Sequence, residues 1–150
     1  MGQYLDDFVP CLHAILSDDS RDRRIKLPAI QALGDLCIHC GHQFNQKFLG
    51  NTIQILSLAA GTSTQVTGYQ GDEDTIEFLK SLREATIDQY AAIVMSAVDT
   101  ESLDIVTPFL ENIFVFLTEA LKASGEVLDA RLIRLVIGLV GDIASAFPEH

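Results

Sequence analysis

Helical periodicity constrains this chain more than any other feature of its sequence. In residues 25–44, IKLPAIQALGDLCIHCGHQF, apolar side chains recur every three or four positions, which is the spacing of one face of an α-helix. The same spacing returns along the chain, and the alternation typical of β-strands does not. With 150 residues, 48% of them hydrophobic, the chain can bury a real core as one domain. The sequence therefore predicts an all-α fold.

Six helices are predicted, and most of the linkers between them are short. Short linkers favour antiparallel packing of successive helices. The exception is the segment at 61–73, rich in Gly and Thr, which predicts a flexible connector. The approximate helix ranges are 3–16, 23–40, 44–60, 75–98, 103–122 and 128–147.

An internal repeat organises these helices. Gly34-Asp35 matches Gly141-Asp142, with apolar residues on both sides of each pair, and Asp88 occupies the equivalent place between them at nearly equal intervals. If the connector at 61–73 is left out, the interval from Asp35 to Asp88 approaches the roughly 40–47 residues of a two-helix HEAT unit. Predicted helices two, four and six then form the A helices, and helices one, three and five form the B helices. We expect an α–α superhelix of about three units with incomplete ends, cut from a longer superhelix.

The three repeat aspartates, Asp35, Asp88 and Asp142, are interpreted as structural residues. Each is predicted in the later turns of an A helix, where the helix dipole disfavours negative charge. A compensating donor is expected, either a backbone N–H at a neighbouring helix start or a basic side chain of the adjacent unit. We therefore predict ties between units and no catalytic role.

Cys37, His39, Cys40 and His42 form a cluster of residue types that bind zinc. Successive helical residues are rotated by about 100°, so the two cysteines share the apolar face and the two histidines point to the opposite side. Side chains on two faces of one helix cannot form a tetrahedral site, so no metal and no cofactor is predicted. A helix end at Gly41 would redirect His42, and a zinc-binding module therefore remains an alternative.

The charge distribution restricts the partners. The net charge is −11, which repels nucleic acid and anionic membranes and attracts a basic partner. An acidic surface that only maintains solubility is an equally good interpretation. One stretch of the acidic chain is basic. It holds four of the ten basic residues, namely Arg21, Arg23, Arg24 and Lys26.

Compartment and chemistry are also restricted. The first residues, MGQYLDDFV, carry acids where a secretory signal needs basic residues, and the chain has three cysteines without disulfide spacing. A reducing compartment is therefore expected. The chain has no GxGxxG, P-loop, GxSxG or HExxH motif. We predict a protein that is not an enzyme.

Three stretches of the chain resemble one known family. The run IKLPAIQALGDLCIHCGHQFNQKFLGNTIQIL, the run TIEFLKSLREATIDQYAAIVMSAVD and the later GLVGDIASAF are similar to HEAT units in the C-terminal half of importin β, in the karyopherin β family of nuclear transport receptors. The resemblance implies non-enzymatic nuclear import by a receptor of cytoplasm, nucleus and nuclear pore. The alternative is a HEAT-repeat scaffold subunit of another multiprotein complex, since fold alone does not fix function.

The resemblance implies two kinds of binding surface. B helices would line a concave face that grips the basic segment of importin α or a basic cargo signal, and Ran GTPase would bind repeats outside this segment. Slots between adjacent A helices would take phenylalanines of FG nucleoporins. The candidates for the basic partner are Asp6, Asp7, Asp104, Glu111 and Glu119, the last three spaced for one side of a continuous helix. The candidates for the slots are Leu27, Phe78, Leu82 and Tyr90.

Overall fold

The computed structural model describes residues 2–18, 22–64, 73–123 and 129–149, and all regular structure within these ranges is helical. The predicted all-α fold is therefore confirmed. None of the helices in these ranges has a run long and apolar enough to span a bilayer. The helices are α1 (Gly2–Ser17), α2 (Lys26–Thr64), α3 (Glu73–Asp99), α4 (Leu103–Val106), α5 (Leu110–Ala123) and α6 (Ala130–Ala146), with 3₁₀ turns at Arg23–Ile25 and Thr107–Phe109.

Helix α2 is bent at Gly41, whose backbone leaves the helical conformation at φ 20° and ψ −94°. Glycine adopts such a conformation more readily than residues that carry a Cβ. We call residues 26–40 the first arm of α2 and residues 42–64 its second arm. The two arms occupy the places of the second and third predicted helices.

The second arm continues into the segment predicted as a connector at 61–73. Residues 61–64 are still helical, and 65–72 lie outside the described part of the chain. Hydroxyls in this last turn bond to carbonyls within the helix: Ser63 and Thr64 both donate to the Ala60 carbonyl, at 2.8 and 3.3 Å. Such bonds satisfy the hydroxyls of Ser and Thr inside a helix. The Gly- and Thr-rich composition of 61–73 therefore predicted the end of this helix earlier than Thr64, where the structure has it.

The helix predicted at 103–122 is interrupted. Helix α4 ends at Val106, the 3₁₀ turn Thr107–Phe109 follows, and α5 begins at Leu110. Pro108 explains the interruption, because proline has no backbone N–H and its ring clashes with the preceding helical turn. The assumption of one continuous helical face from 103 to 122 was therefore wrong.

The first arm, α3 and α6 lie side by side in one layer, which we call the A layer. The first arm runs parallel to α3: Arg23 Nη1 donates to Thr75 Oγ1 at 2.9 Å where both begin, and Ser96 Oγ donates to the Cys37 carbonyl at 2.8 Å near their ends. Helix α6 packs against the other side of α3. The three predicted A helices therefore lie side by side, as expected for equivalent helices of consecutive units.

Helix α1, the second arm of α2 and α5 form the opposite layer, the B layer. Lys47 Nζ lies 3.1 Å from Asp6 Oδ1, and His13 Nε2 lies 2.9 Å from Thr52 Oγ1. Both contacts join α1 to the second arm, again in parallel order. The B layer therefore repeats the arrangement of the A layer.

The two layers meet in a core that contains the far side of α3. Arg83 Nε donates to the Ser63 carbonyl at 2.8 Å, and the hydroxyls of Tyr90 and Ser57 lie 3.3 Å apart. These contacts make the second arm antiparallel to α3. The Tyr90 and Phe116 rings pack at 6.0 Å between centroids, which joins α5 to the same core. The fold is thus a two-layer stack of antiparallel helix pairs.

Candidate protein-binding surfaces

A groove between the first arm and α3 opens in the A layer. Its volume is about 500 Å³, and we call it the A-layer groove. Leu27 and Phe78, both half-buried, lie on its opposite walls. The structure therefore brings together two of the four residues predicted for an apolar slot. The groove is lined by Arg23, Arg24, Leu27, Asp74, Glu77, Phe78 and Ser81.

Basic residues form one rim of this groove. The guanidinium carbon of Arg23 lies 5.1 Å from the centre of the Phe78 ring, within range of a cation–π contact. Arg24 instead pairs with the exposed carboxylate of Asp22, with Nη2 2.7 Å from Oδ2. The hydrogen bonds from Arg24 lower the pKa of Asp22 to about 2. The basic cluster was visible in the sequence, but its contact with Phe78 was not.

Leu82 and Tyr90 do not belong to this groove, which corrects their assignment from sequence. Leu82 is 3% exposed and Tyr90 is 1% exposed. The Tyr90 hydroxyl bonds to Ser57 of the B layer, and burial raises the pKa of Tyr90. Both residues lie in the buried part of α3, so neither presents a side chain to a partner across the outer face.

The acidic candidates on α1 are exposed. Asp6 pairs with Lys47 of the second arm, while Asp7 is exposed without an ion pair among the described residues. An exposed ion pair contributes little to stability, so Lys47 leaves the Asp6 carboxylate accessible to a competing cation.

The acidic candidates at 104–119 are divided by the helix break. Asp104 is exposed on α4, Glu111 is exposed at the start of α5, and half-buried Glu119 pairs with Lys122 at 3.1 Å. The spacing argument required one continuous helix, and the 3₁₀ turn changes the rotation between Asp104 and the other two. Glu119 lines a second groove of about 220 Å³, between α5 and the second arm.

The three repeat aspartates are exposed. Within the described residues, no hydrogen bond or ion pair of Asp35 or Asp142 is found, and Asp88 is near Arg131 of α6. Partial burial raises the pKa of Asp88, and the charge of Arg131 offsets only part of that rise. The exposed carboxylates of Asp35 and Asp142 can be hydrated, so they need no protein donor. Their role as ties between units stays a prediction.

Two ion pairs between α3 and the start of α6, in addition to their apolar packing, were missed in the sequence. Lys80 Nζ lies 2.9 Å from Asp129 Oδ2, and Arg131 Nε lies 3.4 Å from Glu84 Oε2. Lys80 and Glu84 are one helical turn apart on α3, a spacing that places both on one face. The four-residue spacing of Lys80 and Glu84 was the signal that the sequence offered for a shared face. Only the packing shows that this face of α3 is turned toward the start of α6.

The bend at Gly41 separates His42 from the other residues of the Cys and His cluster, so helical spacing relates only Cys37, His39 and Cys40 to one another. Cys37 is buried and its thiol donates to Asn45 Oδ1 at 3.5 Å, while His39 and His42 are exposed. Burial raises the pKa of Cys37 to about 11. In the part of the chain that the structure describes, no three His, Cys, Asp or Glu side chains are grouped as metal ligands would be.

Comparisons with known proteins agree on one family. The family model described as Importin subunit beta-1-like, TPR repeats, matches residues 1–150. Importin subunit beta-1 of Arabidopsis thaliana is 25% identical over 98% of this chain, and that of Schizosaccharomyces pombe is 25% identical over 97%. The chain spans 16% of the length of each of these relatives.

A solved structure of a Kap95p chain is similar in fold. The alignment covers 99% of this chain and 16% of the other, with a TM-score of 0.80 and 22% sequence identity. That structure is described as showing that Kap95p binding induces the switch loops of RanGDP to adopt the GTP-bound conformation. HEAT and TPR repeats are both stacks of antiparallel helix pairs, so the similarity supports the α–α superhelix.

Proposed function

This chain belongs to the importin subunit beta-1-like family, and from that membership we propose that it is a segment of a non-enzymatic nuclear import receptor. The observation that carries the proposal is the family match over the whole chain, combined with an open groove between parallel A-layer helices that has Leu27 and Phe78 on its walls. The receptor would work in cytoplasm and nucleus and pass through nuclear pores. Ran GTPase would bind repeats outside this segment.

The A-layer groove is the proposed site for a phenylalanine of an FG nucleoporin. Leu27 and Phe78 are half-buried on its walls, so each has apolar surface that a ligand ring could cover. Burying an aromatic side chain contributes about 1.5–3 kcal/mol, which suits a weak and rapidly exchanging contact. The proposed site therefore uses two of the four predicted residues.

An NMR titration with an FG-repeat peptide tests this site. We expect shifts of signals from the A-layer groove, and Leu27→Ser should weaken binding about tenfold, equivalent to about 1.4 kcal/mol. The matched control is Ile137→Ser, because Ile137 is 65% exposed on α6 and does not line the groove. Equal binding by both variants, or shifts confined to the B layer, would rule out this groove.

The B layer is the proposed face for a basic segment such as that of importin α or a cargo signal. The net charge of −11 and the exposure of Asp7 on α1 and Glu111 on α5 support it, together with exposed Asp104 on α4, which precedes α5 in the chain. Single exposed charge pairs are weak, but several in series steer and hold a charged partner. Asp6 and Glu119 add acidic groups that already pair with lysines of this chain.

A basic importin-β-binding peptide tests the B layer. Binding should fall with added salt, because screening weakens exposed charge pairs. The double variant Asp104→Asn, Glu111→Gln should bind more weakly than the control pair Asp35→Asn, Asp142→Asn, which makes the same charge change at exposed sites of the A layer. Binding that does not depend on salt, or an equal loss in both double variants, would contradict this assignment.

A further inference from the structure

Arg23 is held at the A-layer groove by two contacts with α3. It begins the 3₁₀ turn before α2, is half-buried and lines the groove together with Phe78. Its Nη1 donates a hydrogen bond of 2.9 Å to Thr75 Oγ1 at the start of α3. Its guanidinium carbon lies 5.1 Å from the centre of the Phe78 ring. The hydrogen bond and the ring contact together restrict where the guanidinium can lie.

The other cation on this rim of the groove, Arg24, is bound differently. Its Nε and Nη2 donate to the carboxylate of Asp22, and its side chain is 85% exposed. The charge of Asp22 also acts on Arg23, but the hydrogen bonds of that carboxylate go to Arg24. The guanidinium of Arg23 therefore packs on an aromatic ring of the groove, whereas that of Arg24 lies in an ion pair at the surface.

A guanidinium in this position favours an aromatic ligand over an aliphatic one. It is planar, weakly hydrated and stacks on aromatic rings, and its two faces allow it to contact two rings at once. The face of an aromatic ring carries partial negative charge and attracts a cation, whereas an aliphatic side chain of similar size does not. Burial against Leu27 and Phe78 stabilises both kinds of side chain, so apolar contact does not distinguish them.

We propose that Arg23 is the residue that makes the A-layer groove select an aromatic side chain over an aliphatic one. The ligand is the phenylalanine of an FG nucleoporin, so the inference rests on the proposed function of this groove. The ligand ring lies against Leu27 and Phe78 and contacts the guanidinium of Arg23, which then interacts with two rings. Thr75 holds the guanidinium in place through the hydrogen bond from Nη1.

A purely structural role for Arg23 predicts a different result. If Arg23 only covered Phe78 and joined the 3₁₀ turn to α3, its replacement would weaken every ligand of the groove by the same factor. Direct contact with the ligand instead strengthens only those ligands whose ring face is negative. The dependence of affinity on the electron density of the ligand ring therefore separates the two roles.

Three peptides that differ in one side chain measure this dependence. Each is the same FG-repeat peptide, with phenylalanine, cyclohexylalanine or pentafluorophenylalanine at its single aromatic position, and an NMR titration gives its affinity. Cyclohexylalanine is at least as apolar as phenylalanine but has no π system, and full fluorination reverses the charge of the ring face. We expect the unchanged protein to bind each analogue about fivefold more weakly than the phenylalanine peptide, equivalent to about 1 kcal/mol.

Two variants assign this preference, with circular dichroism to verify that each is folded. Arg23→Met removes the cation but keeps a side chain that can pack on Phe78, so it should bind the three peptides equally, within about a factor of two. Arg134→Met makes the same charge change at an exposed position of α6 that does not line the groove. It should keep the fivefold preference of the unchanged protein.

An undiminished preference in Arg23→Met would overturn the inference, and so would equal affinities of the three peptides for the unchanged protein. Leu27→Ser separates that result from failure of the proposed function. If it weakens binding of the phenylalanine peptide while the preference is absent, the groove remains the FG site and only the role of Arg23 is wrong. No saturable binding, or binding that Leu27→Ser leaves unchanged, overturns both.

Discussion

The side-chain amide of Asn45, just after the bend in α2, donates a hydrogen bond of 3.1 Å to the Ser96 hydroxyl of α3. Ser96 in turn donates 2.8 Å to the Cys37 carbonyl, just before the bend, and Asn45 also donates 2.8 Å to Thr100 Oγ1. One side chain of α3 thus bonds to both arms of α2. The angle between the arms is therefore fixed by α3 as well as by Gly41.

Asn45→Ala should lower the free energy of unfolding by about 1–3 kcal/mol, because it leaves buried polar groups without their partner. Asn45 is 1% exposed, so water cannot replace the lost bonds. Asn51→Ala is the control, since Asn51 is exposed on the same arm. Urea denaturation measures both variants, and equal stabilities would show that the network does not hold the bend.

Gly41→Ala should be destabilising by about 1–3 kcal/mol, the usual strain of a side chain in a rarely occupied conformation. The added Cβ would also lie 3.1 Å from Thr100 Cγ2. Gly50 is helical and a Cβ there meets no atom within 4 Å, so Gly50→Ala should stabilise by about 0.5–1 kcal/mol. Thermal unfolding of the two variants should therefore shift in opposite directions. A shift in the same direction would contradict a strained bend.

Stability should fall with acid through His13. Burial lowers the pKa of His13 below its ordinary value of 6.5, because the imidazole lies against Thr52 and Phe48. The unfolded chain then takes up a proton at higher pH than the folded chain does. The stabilisation is complete above 6.5 and is lost as the pH falls through the folded-state value.

Urea denaturation at about pH 7 and about pH 5 tests this dependence. His13→Gln should remove part of the loss of stability seen in the unchanged protein. His39→Gln, at an exposed position of the first arm, should leave it unchanged. The assignment to His13 fails if the two variants lose the same free energy over this interval.

Arg83→Met should lower the free energy of unfolding by about 1.5–3 kcal/mol, the usual range for a hydrogen bond from a charged group. Arg83 is buried and its Nε donates 2.8 Å to the Ser63 carbonyl, which bonds the last turn of α2. Arg134→Met is the control, because Arg134 is exposed on α6. Hydrogen exchange should show earlier opening of residues 61–64 in Arg83→Met alone. Uniform opening along the chain would point to a general loss of packing.

The helical segments and the parallel order of the A layer were predictable from sequence. The repeat of Gly-Asp pairs identified equivalent helices, and stacking of equivalent helices follows from their wide apolar faces. The bend in α2 occurs at Gly41, and the break between α4 and α5 occurs at Pro108. Both residue types change the conformation available to their own stretch of backbone. The break at Pro108 was overlooked because the apolar spacing of residues 103–122 continues through it.

The binding candidates were predictable only in part. Leu27 and Phe78 share the A-layer groove, but Tyr90 lies in the core between the layers. Periodicity indicates which residues of α3 share a face, but α3 is covered by the first arm, the second arm and α6 together. When most faces of a helix are apolar, spacing cannot distinguish a slot from a core position.

The sequence by itself therefore determined local structure, namely the helical segments and their order. These depend on backbone dihedral angles and on neighbours within a few positions. Only the tertiary structure decided which side chains of α3 are open to a partner, and which basic side chain contacts Phe78. Those properties depend on contacts between residues far apart in the chain, such as Arg23 with Phe78, which local periodicity does not encode.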